Sequence, residues 1–550
     1  MKDNIIVDVK GLDKFIIKEG SKVSDLLKRI EQSDNIIAAK INGEIVELSY
    51  ELNEDVTVEL IHTNDSIGKK IYLNGLKFLY ITAIKELYGK QTEVRLMHSI
   101  DKGIYTYLKI DKVTDEVVKN IKEKMIQLVN QDLPIEKIST SRKSAIKYFT
   151  KINDLEKVSN YNQMSSEYVV LYQLLDYYNY FYYLMPISTG ILKNFDLTKI
   201  NSNGIVLQYP TGESDKIEEY KDVPAVLEEF RKYRNWAKNV NVRYVSDINK
   251  VIIDGKIKDF IQLNEMKSNN DLHNIANHII KNKDKIRIIL IGGPSSSGKT
   301  TTSKKMALEL KSHGLNPLII SVDDYFINRV DTPKDKNGNY MFDVIEALDI
   351  NLFNDHLTKL LNGESVKMPT YNFLTGEKEY KKAPVQLGEK DIMIIEGLHT
   401  LNEKLTSSIN RENKYKIYIS PFTPLGLDKH NHISTIDVRL IRRMVRDYSN
   451  RGYSAEDTLR NWKTVRKAED EYVFPYQHEA DVVYNTALIY EIGLLKTFAI
   501  PLLYSVKQTS EEYIEALRLL HFLKLFFNIS VDALPNTSIL REFVGNGYFD

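Results

Sequence analysis

Residues 287–305 read RIILIGGPSSSGKTTTSKK, an apolar run that breaks into glycine, proline and serine and then turns basic. Within it, Gly293, Pro294, Ser295, Ser296, Ser297, Gly298, Lys299 and Thr300 satisfy G-x-x-x-x-G-K-[ST]. The flanks suit that motif, with an apolar strand before it and an amphipathic helix after it that ends near a glycine. Glycines let successive backbone N–H groups curl around phosphate oxygens, and a helix N-terminus adds positive partial charge. The reading predicts a nucleoside triphosphate site over Gly293–Thr301, with Lys299 on the outer phosphates and the Thr300 hydroxyl on magnesium.

The rest of the chain sets bounds on that site. At 550 residues it is too long for one core, so several domains are expected. Lys+Arg and Asp+Glu balance at 75 each, which argues against a global polybasic surface for nucleic acid or membrane. There are no cysteines, and with them go disulfides, thiolate zinc sites and a cysteine nucleophile. The start, MKDNIIVDVKGLDKF, carries charges where a signal peptide has an apolar run, and no uncharged stretch is long enough for a bilayer. A cytoplasmic protein without membrane association is expected.

Two further strands end in acids. NPLIISVDDYF delivers Asp323 and Asp324 where its apolar run stops, and KDIMIIEG ends in Glu396. Strand C-termini line the ligand crevice of an open α/β sheet. There, Asp323 is suited to accept a hydroxyl proton and assist magnesium, and Glu396 to ligate magnesium. DVRLIRRMVRD then places Arg439, Arg442, Arg443 and Arg446 at helical spacings. Only Arg443 has an acid four residues on, Asp447, so the pattern predicts a largely unneutralised arginine face acting as a lid over transferring phosphate.

Five regions are expected, in a multidomain α/β and α+β architecture. Residues 1–66 read as hairpins around one helix, a β-grasp order, and resemble the TGS domain through AKINGEIVELSYEL. Residues 67–215 resemble the second additional domain of threonyl-tRNA synthetases, an α+β domain where editing occurs, through GLKFLYITAIKELYG and PISTGILKNFDL. That resemblance puts Asn74, Phe78, Phe181 and Met185 at the positions of the family's His/Cys quartet. These groups cannot bind metal or move protons as imidazole and thiolate do, so editing chemistry is expected to be lost. The tyrosines at 168, 172, 177, 178, 180, 182 and 183 read as core or interface rather than base-stacking residues. Residues 216–284 are expected to be a helical connector and 491–550 a helical extension. In the extension, Thr509 and Glu512 are expected to form a capping box.

Residues 285–490 resemble the uridine kinase and phosphoribulokinase branch of P-loop kinases. The matching pieces are GPSSSGKTTTSKK, SVDDYF, MFDVIEALDI, VKMPTYNFLTGEK, IMIIEGLHTLN and DVRLIRRMVRDYSNRG, in the family's order. The resemblance implies a parallel sheet flanked by helices, with ATP as co-substrate and Mg2+ as cofactor. It implies Asp323 as general base and Glu396 as a magnesium group. It also implies Phe342, Asp343 and Tyr371 at the acceptor, Arg443 and Arg446 as lid arginines, and Arg451 just beyond. The departures concern the base: Gly376 stands where pyrimidine readers have histidine, Tyr453 where an arginine is expected, and Phe326 where a tyrosine follows the catalytic acid. His430 and His432, two apart in a polar stretch, read as solvent-exposed.

Three functions fit. One is a magnesium-requiring kinase of a nucleoside 5′-hydroxyl. Another is an RNA- or tRNA-sensing regulator, although the only D-x-x-G after the loop, at Asp335, lies in a hydrophilic stretch and no NKxD follows. The third is a kinase of a sugar phosphate. The front half is expected to engage RNA or a protein partner, or to serve homo-oligomer assembly.

Overall fold

The computed structural model describes residues 4–30, 35–212, 214–336, 338 and 340–549. The D-x-x-G beginning at Asp335 includes Asn337, which lies outside them. At the front, Asn4–Val9 pairs antiparallel with Lys14–Lys18 and parallel with Val56–His62. Ile36–Ile41 and Glu44–Glu47 complete a five-stranded mixed sheet. Alternation drives this sheet: Ile5, Val7 and Val9 all point into one core with Val23, Leu26 and Val58. The result is a β-grasp arrangement, with its helix Val23–Leu27 short.

The helix Ser66–Tyr88 follows, and residues on all its sides from Ile71 to Ile84 are buried. A helix apolar all round must sit inside a domain. Here it lies with a four-stranded sheet (Val94–Ile100, Gly103–Leu108, Gly204–Gln208, Asp196–Lys199) and a three-stranded one (Glu136–Ser141, Tyr168–Leu174, Tyr177–Asn179). Of the tyrosine-rich stretch, Tyr168, Tyr172, Tyr177 and Tyr178 lie on strands, and Tyr180, Tyr182 and Tyr183 follow in irregular chain. Tyr172 and Tyr177 are buried and donate to Glu47 and Glu86, while Tyr168 is exposed. Asn74, Phe78, Phe181 and Met185 are all buried, with the Phe78 and Phe181 rings 5.5 Å apart.

Helices Pro224–Asn239, Val245–Ile253 and Ile257–Lys281 connect to the C-terminal sheet. Its five parallel strands run in the order Asn316–Ser321, Asp391–Gly397, Ile288–Gly292, Lys414–Ser420, Val482–Asn485. Its central strand, Ile288–Gly292, is buried throughout, as a strand covered on both faces must be. After it, helices Glu491–Tyr504, Tyr513–Leu523 and Arg541–Val544 share one core with the helix Thr435–Arg451.

Two local expectations fail. Thr509 does not open a capping box: the last long helix starts at Tyr513, and the Glu512 N–H instead donates to Ser510 Oγ at 3.2 Å. His430 and His432 are buried, not solvent-exposed. The hairpin that carries them, Gly426–Asp428 with Asn431–His432, inserts between the halves of the chain. Lys157 Nζ lies 3.0 Å from His430 Nδ1, Asn431 donates to the Tyr180 carbonyl at 3.0 Å, and the Leu96 N–H donates to the Lys429 carbonyl at 2.8 Å. Among the described residues no helix is long and apolar enough to cross a membrane.

Candidate functional site

The loop after Ile288–Gly292 bends because its backbone has no alternative. A Cβ on Gly293 would stand 2.2 Å from the Ile419 carbonyl oxygen, and Gly298 sits at φ +89°, open only to glycine without strain. Ser296 takes a left-handed φ of 59°, a strained setting for serine of the sort that collects at binding loops. Ser297 is held by Thr486, whose hydroxyl donates to its carbonyl at 2.7 Å. Helix Lys299–Ser312 begins directly behind. Lys299 Nζ curls back onto the Gly293 and Pro294 carbonyls at 3.0 and 3.1 Å. Thr300 is exposed at the helix start.

The loop amides are aimed at anions. The Ser295 N–H donates to Glu469 Oε1 at 2.8 Å, and the Thr301 N–H to Glu542 Oε2 at 3.2 Å. These carboxylate oxygens stand in for phosphate oxygens, so the loop fits a polyphosphate.

Parallel register brings the acids to the same edge. Ser321 and Ile291 both pair with Glu396, and Ser321 Oγ donates to Glu396 Oε1 at 3.2 Å. Asp323 lies in the turn Val322–Tyr325 just past its strand. Burial, together with the negative charge of Asp323, pushes Glu396 up to about 7. Asp323 is open to solvent yet crowded on the cleft floor. Desolvation by the protein around it raises its carboxyl, against the pull of Lys299 and Arg451. Burial lowers Lys299, which Glu396, Asp323, Glu542 and Glu469 oppose. Glu396 and Asp323 feel one another's charge, and their carboxylate oxygens are of the kind that a hard divalent cation takes.

The arginine helix departs from expectation. Its face is not unneutralised: Arg439 and Arg442 are buried, Arg439 pairing with Glu469 and Arg442 with Glu491 at 2.6 Å. These two anchor the helix to the loop, Arg439 Nε also donating to the Ser295 carbonyl at 3.2 Å. The other two face the cleft. Arg443 donates to Ser295 Oγ at 2.7 Å, and Arg443 and Arg446 share Asp447 at 3.1 and 2.9 Å. Arg451 reaches the same carboxylate at 3.5 Å.

Opposite lies an aromatic cluster. The Phe326 ring is 5.5 Å from Tyr371, 6.3 Å from Phe342 and 6.2 Å from Phe373. Tyr371 is buried, whereas Phe342 and Phe373 are open to solvent. Asp343 is raised by burial and pulled back by Arg443. At Gly376, a Cβ would stand 2.7 Å from the Arg329 side chain, so arginine lies where the resemblance expects a histidine ring. Tyr453 is exposed.

Sequence reasoning missed Glu469, Glu542 and His399. His399 is buried beside the Asp343 backbone, and burial holds it down at about 4. Glu469 and Glu542 lie 174 and 241 residues from the amides they meet, and no local pattern marks them.

Parallel strands, an anion-cradling loop and acids at the strand ends define a P-loop kinase-type domain. Residues 288–488 match the model of the Phosphoribulokinase / Uridine kinase family, and residues 6–63 match that of the ThiS family, in keeping with the β-grasp sheet. A uridine kinase from Halobacterium salinarum is 26% identical over 196 residues, which are 35% of this chain and 77% of that protein. A threonine–tRNA ligase from Desulforamulus reducens is 28% identical over 185 residues, which are 33% of this chain but only 29% of that protein. A solved structure described as a possible uridine kinase from Bacillus stearothermophilus aligns with 20% identity and a TM-score of 0.28, covering 39% of this chain and 98% of that one.

Proposed function

We propose that the chain is an ATP-dependent, magnesium-requiring kinase that phosphorylates the 5′-hydroxyl of a nucleoside. The observation that carries this reading is the convergence of Lys299, Asp323 and Glu396 at one sheet edge, facing Asp343 and the aromatic cluster. The loop amides and Lys299 hold the phosphates of the donor. Glu396, Thr300 and Asp323 hold magnesium, which when bound offsets charge on the transferring phosphoryl group. Asp323, whose carboxyl is raised by desolvation, takes the proton from the acceptor hydroxyl. Asp343 accepts hydrogen bonds from a vicinal diol, and Phe326, Phe342, Tyr371 and Phe373 offer flat faces to a base. Arg443, Arg446 and Arg451 offset charge on the far side and exclude water, which otherwise competes as acceptor.

The flat aromatic faces favour a nucleoside over a sugar phosphate. Phosphoryl transfer from ATP and Mg2+ should be assayed against single nucleosides, ribulose 5-phosphate and tRNA, with Asp323→Asn as the blank. Turnover with a nucleoside supports the proposal. Turnover only with the sugar phosphate moves the acceptor to the second class. ATP hydrolysis stimulated by tRNA, with no small acceptor, replaces the kinase reading by the RNA-sensing one.

A further inference from the structure

The family match ends at residue 488, yet residues far beyond it touch the phosphate loop. Glu542 Oε2 accepts from both the Thr301 N–H at 3.2 Å and the Thr301 hydroxyl at 2.7 Å. Ile539 packs on Gly298 so closely that a Cβ there would stand 2.5 Å from its Cδ1. Lys304 Nζ, one turn further along the helix, donates to the Phe549 carbonyl. The segment is well anchored: Leu540 and Phe543 are fully buried, and Arg541 gathers the turn by donating to the Leu534 carbonyl at 2.7 Å and the Gly545 carbonyl at 3.3 Å. The Arg442 guanidinium, which also holds Glu491, lies 5.1 Å from the centre of the Phe543 ring.

Resting on the kinase reading, we propose that Pro535–Phe549 is part of the nucleotide site and that Glu542 is a resident anion which an incoming phosphate must displace from Thr301. An N–H at a helix start cannot serve a carboxylate and a phosphate oxygen together, and two anions on one donor repel. The Glu542 side chain is only partly buried, whereas Leu540 and Phe543 hold the backbone. Displacement therefore needs a side-chain rotation and leaves the tail docked. Glu542 also acts electrostatically on Lys299 and Glu396, so moving it changes the field at the cation site. The extension is a built-in competitor for the donor, with Ile539 walling the loop at Gly298 beside it.

The test is binding of Mg·ADP and Mg·ATP to the full chain by calorimetry, comparing the unmodified protein with Glu542→Gln and Glu542→Ala. Both variants should bind about fivefold or more tightly, with the gain shrinking at high salt. Unchanged or weaker binding in variants that melt like the unmodified chain overturns the proposal. Absence of nucleotide binding in all three chains overturns the kinase reading itself, and this one with it. In the unmodified chain, nucleotide should leave amide exchange at Arg541–Gly545 slow, because the tail stays docked while the Glu542 side chain rotates. Markedly faster exchange there would mean that the tail undocks, and overturns displacement by side-chain rotation.

Discussion

Lys157 Nζ donates to Asp428 Oδ1 at 2.9 Å across 271 residues of chain, with both side chains closed to water. The pair joins the synthetase-like half to the hairpin that leads into the arginine helix. A second link runs from Lys70 to Glu515 at 2.6 Å and on through Arg518, which grips Asp437 of that helix at 2.9 and 2.6 Å. The front half thus braces the element that carries Arg443 and Arg446.

Lys157→Met should destabilise the full chain by about 3 kcal/mol or more, because it strands Asp428 and Asp154 in the interior without a cation. Denaturant unfolding measures this. A change below about 1 kcal/mol, the size of a surface pair, would show that the halves do not depend on the contact.

Asp323→Asn should lower kcat by about a thousandfold while leaving affinity for metal-free nucleotide within roughly threefold, since the loop amides are spared. Steady-state kinetics beside calorimetry separates the two effects. An unchanged kcat assigns the proton to another group.

Glu396 gives a pH signature. Its folded value is raised from 4.5 to about 7, so the metal-free chain favours the protonated form. The stability this contributes is fully present below 4.5 and is lost as pH rises through about 7. Magnesium needs the ionised form, so its affinity should fall about tenfold per pH unit below that point and level off above it. Glu396→Gln should flatten both curves. Titrations that show no inflection between pH 6 and 8 would contradict the assignment.

The quartet Asn74, Phe78, Phe181 and Met185 should support no deacylation of aminoacyl-tRNA. Asn74 spends its amide on the Leu184 carbonyl at 3.4 Å, and the two rings pack on each other. Incubation of the full chain with a panel of aminoacyl-tRNAs checks this. Release of free amino acid above the buffer rate would reveal a site built from other groups.

The glycine loop, the acids closing two strands and the β-grasp front were legible because each rests on neighbours in sequence. Strand periodicity, glycine at forced angles and an acid after an apolar run need no knowledge of the rest of the chain. The arginine helix shows the limit. Its spacing was readable, but Glu469 and Glu491, which neutralise Arg439 and Arg442, lie 30 and 49 residues away. The polar look of DKHNHIS was likewise misleading, because its partners Lys157 and Asn179 belong to another domain.

Sequence by itself determined that a triphosphate-type loop opens a parallel sheet and that carboxylates stand at its edge, since backbone sterics and hydrophobic period act locally. Tertiary structure alone decided which charges are spent in the interior and which face the cleft. It also decided that a carboxylate 241 residues away rests on Thr301. Burial and pairing depend on which distant groups share a low-dielectric interior, and only the folded chain settles that.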